Sequence, residues 1–207
     1  MTMRLRQLEI ALQRLGGFES PRPALEQYPT PAPLAARLLF MAYGRGDLEG
    51  RTVLDLGTGT GILACGAALL GAARVTGVEI DPIPLDVARE NAARLGVEIE
   101  WIEADVGDLP GLFPDRTFDT VVMNPPFGAQ VPHADRPFVD AALAYGRVVY
   151  GIFNAGTLPF LDAYIGDRGE CTDRIAATLS LPRTMRHHTR ERVEIAVECV
   201  RISRRVA

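Results

Sequence analysis

The feature that most constrains this chain is a regular alternation that begins at residue 52. Short apolar runs of strand length take turns with longer runs of helical periodicity, and glycine, proline or acidic residues mark the junctions. Thr52–Leu56, Arg74–Glu79, 98–103, Phe118–Met123 and 147–153 read as strands; 62–70, 84–95, 136–145 and 157–165 read as helices. Strands joined through helices pair in parallel, and the helices cover both faces of the sheet. Two longer strand patterns, 174–181 and 193–203, close the chain with no helix between them, so one strand should run antiparallel. The expected fold is α/β and Rossmann-like: a seven-stranded, mostly parallel sheet with one antiparallel strand. Its ligand should lie beyond the carboxyl ends of the strands.

Before the alternation, Leu5, Leu8, Leu12 and Leu15 fall at helical spacing, so residues 3–15 form an amphipathic helix that Gly16 and Gly17 end. Residues 21–33 are proline-rich, and 34–43 read as a second helix. The organisation expected is one domain, 1–207, with a short helical extension (1–50) that completes the site of a catalytic core (51–207). The 207 residues suffice for one well-buried domain. No apolar run reaches the roughly 18 residues of a membrane span, and the N-terminus has no apolar leader core, so a cytoplasmic protein with no membrane partner is expected. Cys65, Cys171 and Cys199 are too widely spaced for a disulfide framework or a zinc site, and Cys65 reads as core. His133, His187 and His188 lack ligand spacing, so no metal is expected.

Charge is split along the chain. Residues 1–22 carry four Arg against two Glu and residues 183–207 carry seven Arg against three Glu, while the overall net charge is −4, so the middle is acidic. Every basic residue is Arg, a side chain suited to bidentate phosphate contacts and stacking. Arg186, Arg190 and Arg192 are the candidates for contact with a polyanion.

The unusual motifs all fall at strand ends. Asp55-Leu56-Gly57-Thr58-Gly59-Thr60-Gly61 follows one strand and opens a helix, where glycines let backbone approach a ligand and adopt positive φ. A dinucleotide fingerprint would need glycine where Ile62 stands. Glu79 ends the next strand, about 20 positions on, where an acid can accept bonds from both hydroxyls of a ribose. Asp81 reads as the cap of the following helix. Asp105 follows the third strand. The loop's spacing resembles the S-adenosylmethionine loop of class I methyltransferases; by that resemblance Asp55, Gly57 and Gly59 hold this cofactor, Asp105 binds its adenine amine and Val106 packs near the ring.

Asn124-Pro125-Pro126-Phe127 ends the fourth strand and is similar to the (D/N)PP(F/Y/W) motif of methyltransferases that act on planar amines and amides. Such nitrogens are conjugated and weakly nucleophilic. The Asn124 side-chain oxygen and the Pro125 carbonyl can accept the two N–H bonds, Pro126 holds the turn, and Phe127 can stack on the planar group. Placement then does most of the catalysis.

Leu25-Glu26-Gln27-Tyr28-Pro29-Thr30, followed by DLGTGTGIL and MNPPFG, resembles the methyltransferase-like protein 5 family over essentially the whole chain. That resemblance implies N6 methylation of an adenosine in small-subunit ribosomal RNA. It implies that Gln27 and Thr30 touch the cofactor together with Gly57, Thr60 and Ile62. It also implies a small zinc-containing activator protein that pairs with the edge strand 98–103, where Ile99 and Trp101 form an apolar face. Two alternatives stay open: a glutamine N5-methyltransferase of a translation release factor, which uses the same motif type on an amide, and a catalytically silent RNA-binding scaffold.

Overall fold

The computed structural model describes residues 3–182 and 192–205. Seven helices and seven strands alternate through them. The extension forms α1 (Leu5–Leu12) and α2 (Ala32–Gly44). There follow β1 (Thr52–Leu56), α3 (Ile62–Leu69), β2 (Arg74–Glu79), α4 (Pro82–Leu95), β3 (Glu100–Glu103), α5 (Leu109–Leu112) and β4 (Phe118–Met123). Then come α6 (Arg136–Tyr145), β5 (Gly146–Asn154), α7 (Leu158–Ile165), β6 (Gly169–Pro182) and β7 (Arg192–Arg204).

The strands form one sheet in the order β3-β2-β1-β4-β5-β7-β6. Strands β1 to β5 pair in parallel, and β7 runs antiparallel to both β5 and β6. This is the class I methyltransferase architecture, with the expected single reversed strand. One apolar cluster packs α1, α2 and α3 on one face through Leu8, Leu12, Leu38, Leu39 and Val53. The other packs α6 and α7 on the opposite face through Leu54, Val121, Val139, Phe153 and Leu161. Cys65 is buried as core. No helix among the described residues is long and apolar enough to cross a membrane.

Strand order turns back between β1 and β4. The register pairs Leu56 with Val78 on one side and with Met123 on the other. Gly57, Glu79 and Asn124 therefore leave three adjacent strand ends together, at the crevice where ligands of such sheets bind.

β3 does lie at the edge of the sheet. Its apolar face, however, is not open. A Cβ on Gly77 would come within 2.5 Å of the Trp101 ring, and one on Gly61 within 2.9 Å of it. Trp101 is core beneath the glycine loop and α4, because two glycines leave the space its indole fills. The ring is partly buried in this packing.

Candidate active site

Three loops and one returning segment build a cavity of about 330 Å³ at this crevice. The first loop is held by Asp55, which is fully buried on β1. One of its oxygens accepts from the Thr58 hydroxyl at 2.6 Å and from the Ala64 N–H, in the first turn of α3, at 2.9 Å. Gly57, Gly59 and Gly61 all have positive φ, at 65°, 53° and 82°. Only glycine takes these values without strain, so the chain can turn three times and still start α3 at Ile62.

Glu79 clasps the same loop from β2. One oxygen accepts from the Gly59 N–H at 2.8 Å and the other from the Asp81 N–H at 3.0 Å. Burial pushes its carboxyl above the usual carboxylate range, against the lowering effect of those bonds. Asp81 caps α4, accepting from the Ile83 N–H at 3.1 Å, as its position suggested. Asp105 accepts from the Gly107 N–H at 2.7 Å and stays exposed at the cavity wall.

The segment Leu25–Thr30 closes the other side. Glu26 has positive φ (49°), and its carboxylate accepts from the Phe127 N–H at 2.7 Å and the Gln130 N–H at 2.9 Å. Thr30 accepts from the Asn124 Nδ2 at 2.9 Å. Gln27 is tied to the neighbouring strand end: it donates to Asp81 at 2.9 Å and accepts from the Arg22 N–H at 2.8 Å. Buried Asn91 adds a link by accepting from the Gly16 N–H at 2.8 Å and donating to the Thr60 carbonyl at 2.9 Å. The extension is thus stitched to the ends of both β2 and β4, although 25–33 taken alone would read as a structureless connector.

The Asn124 amide turns its Nδ2 to Thr30. Its Nδ2 is engaged, and its Oδ1 is buried without a hydrogen-bond partner. Among the described residues two other buried side-chain atoms share that condition, the second oxygen of Asp55 and the hydroxyl of Tyr28. All three residues line the cavity. A buried acceptor left unpaired costs about 1–3 kcal/mol, which a bound donor would recover. Burial also pushes the Asp55 carboxyl up to about 7, against the lowering bonds from Thr58 and Ala64 and with repulsion from Glu79 added.

Sign completes the picture. Among the described residues the cavity walls carry four carboxylates, Glu26, Asp55, Glu79 and Asp105, and no Lys, Arg or His. That lining disfavours a pyrophosphate and favours a cation with N–H donors. S-adenosylmethionine, with its sulfonium, ammonium and ribose diol, fits the donor set.

Of the residues expected at the site, Gln27, Thr30, Asp55, Gly57, Gly59, Thr60, Ile62, Glu79, Asp105, Val106, Asn124 and Pro126 line the cavity together. Pro125 is buried beside it. Phe127 is not brought into the lining: its ring lies 5.5 Å from that of Tyr28 and packs on the core, because the Glu26 clamp turns its backbone toward the extension. Sequence reasoning missed Glu26, Tyr28, Phe18 and Phe138. The last two press their rings on Gly59 and Gly57, where an added Cβ would lie 2.9 and 2.8 Å away. Only the LEQYPT string hinted at the first two. Arg186, Arg190, His187 and His188 lie outside the described residues, as does the side chain of Arg192.

Comparison with known proteins agrees with this geometry. A methyltransferase-domain family model matches residues 53–145. The rRNA N(6)-adenosine-methyltransferase METTL5 of Danio rerio is 32% identical, covering 97% of this chain and 99% of its own. Its Drosophila melanogaster counterpart is 39% identical over 77% of this chain and 76% of its own. The crystal structure of a Pyrococcus horikoshii protein, 38% identical, superposes with a TM-score of 0.88 over 99% of this chain and 98% of that one.

Proposed function

The chain belongs to the METTL5 family of rRNA N6-adenosine methyltransferases, and on that premise we propose that it methylates N6 of an adenosine in small-subunit ribosomal RNA with S-adenosylmethionine. The observation that carries the acceptor assignment is the unpartnered Asn124 Oδ1, on an amide whose Nδ2 is bonded to Thr30.

S-adenosylmethionine supplies an electrophilic methyl group. Each oxygen of Glu79 already holds one backbone N–H and keeps a lone pair for a ribose hydroxyl. The free oxygen of Asp55 suits the ligand's positive charge. On the acceptor side, Asn124 Oδ1 takes one N–H of the target amine and the Pro125 carbonyl takes the other. With both hydrogens held, the nitrogen lone pair is directed at the methyl, and no strong base is needed. Phe127 stiffens this arrangement from behind through Tyr28; the stacking partner of the base is left to other residues.

Single-turnover methylation of RNA tests the assignment. Asn124→Ala should lower the rate about a hundredfold or more, the usual cost of one transition-state contact, and leave cofactor affinity almost unchanged. Asn124→Asp keeps an oxygen acceptor and should retain more activity than Ala. Full activity in Asn124→Ala would remove the amine clamp. An equal loss of cofactor affinity would reassign Asn124 to the cofactor.

A further inference from the structure

Among the described residues the cavity lining holds no cation, so any described group that grips a polyanionic acceptor lies outside it. Of the helices that follow the Asn124–Phe127 loop, α6 supplies lining residues, and α7 packs beside it through Tyr164. α6 starts after the loop that follows Phe127, and α7 starts at the end of β5, the strand beside β4. Arg136, in the first turn of α6, neighbours Pro137 and Phe138, which line the cavity. Its guanidinium sits 5.1 Å over the ring of Tyr164 on α7.

The acid that contacts Tyr164 is already paired. Asp140 accepts from the Tyr164 hydroxyl at 2.7 Å with one oxygen and from Arg168 at 2.6 Å with the other. Arg136 makes no ion pair among the described residues. Phe160 lies one turn before Tyr164, on the same side of α7. It is 77% exposed, more than any other large apolar side chain described. An exposed aromatic ring beside an unpaired, stacked guanidinium is the chemistry that binds single-stranded nucleic acid: a π-face for any base and a planar cation for a phosphate.

We propose that Phe160, Tyr164 and Arg136 form the platform for the single-stranded RNA that flanks the target nucleotide. Phe160 stacks on a base, Arg136 pairs with a phosphate, and Tyr164 keeps the guanidinium in place. This rests on the RNA reading above and deepens it, by moving part of the RNA grip from the basic tail to α6, which borders the cavity, and to α7 packed beside it.

The test uses the full chain and a short fluorescent single-stranded RNA, with binding read by anisotropy across a salt series. Phe160→Ala should raise the Kd about fivefold to a hundredfold, the range for loss of one stacked base. Arg136→Ala should reduce the slope of log affinity against log salt by about 0.7, the value for one phosphate on a single strand, and Arg136→Lys should restore it. Titration with S-adenosylmethionine and thermal melting should be unmoved in all three, since both side chains are at the surface. Unchanged RNA affinity in both Ala variants, with a wild type that methylates RNA, overturns the platform and spares the RNA reading. A wild type that neither binds nor methylates RNA overturns both.

Discussion

The two ends of the sheet treat polar side chains in opposite ways. At the amino end, Asp47 accepts from Tyr150 at 2.5 Å and from Arg201 at 3.0 Å, and its carbonyl accepts from Thr120. Arg201 also donates to Thr172, and Arg116 bridges Thr76 and Glu100 at 2.8 Å each. Every one of these side chains finds a partner within the protein. At the carboxyl end, Asp55, Asn124 and Tyr28 each keep one buried atom unpaired. A closed polar network rigidifies the fold and asks nothing of solvent or ligand. Unpaired atoms gathered in one cavity lower stability unless something binds, and they mark where the fold gives up consistency for chemistry.

The strongest way to break the contrast is at Gly57. Gly57→Val would force a branched residue into positive φ and against the Phe138 ring. Affinity for S-adenosylmethionine should fall at least roughly a hundredfold by calorimetric titration, from strain and a clash together. Normal affinity would take the glycine loop out of the site.

Next is Glu26, whose two oxygens are taken by the Phe127 and Gln130 N–H groups, so that it acts chiefly through the Asn124–Phe127 loop rather than on the cofactor. Glu26→Ala should lower the single-turnover rate roughly tenfold to a hundredfold, because a displacement of about 1 Å in a positioning group can cost that much. Cofactor affinity should hold, hydrogen exchange at the Phe127 and Gln130 amides should quicken, and Glu26→Gln, with one acceptor left, should recover part of the rate. A variant with normal rate and faster exchange would make Glu26 merely structural.

At the satisfied end the expectation reverses. Tyr150→Phe should cost about 1–2 kcal/mol of stability, since Asp47 keeps Arg201 as a partner. Denaturant unfolding should show that loss while methyl transfer stays normal. A variant that lost activity at full stability would undo the division between the two ends.

The smallest effect is a fraction of a proton. Burial holds the Asp55 carboxyl near 7, whereas in the unfolded chain it titrates near 3.8. The folded state therefore binds more protons across that window, and the ligand-free protein should lose stability as pH rises from about 4 to about 7. A cationic ligand favours the carboxylate, so cofactor binding near pH 6 should expel part of a proton. Calorimetry in two buffers of different ionisation enthalpy reads it directly; identical enthalpies would mean that Asp55 does not face the charge.

How much of this could be read from the sequence follows from the range of each interaction. β1, β2 and β4 were legible to the residue, because apolar strands run into glycine, acid or proline. α4 starts at Pro82, two residues before its periodic pattern, since Asp81 supplies the cap. β6 starts at Gly169, well ahead of the expected 174, where paired polar residues hide the strand. Gly57, Glu79, Asp105 and Asn124 were legible because strand ends converge by topology alone. Glu26 and Tyr28 were not. Their roles depend on loops about a hundred positions away, and a carboxylate that accepts two backbone N–H groups leaves no periodic trace. Phe127 shows the opposite failure: the motif proposes a stacking ring, but its neighbours decide where the ring lies.

One measurement tests the whole account most directly: transfer of a labelled methyl group from S-adenosylmethionine to total RNA and to total protein side by side, with the RNA digested to nucleosides. Label is expected in RNA, recovered as N6-methyladenosine, and lost in Asn124→Ala although the cofactor still binds. Label recovered instead on protein glutamine, or in neither pool despite cofactor binding, would contradict it.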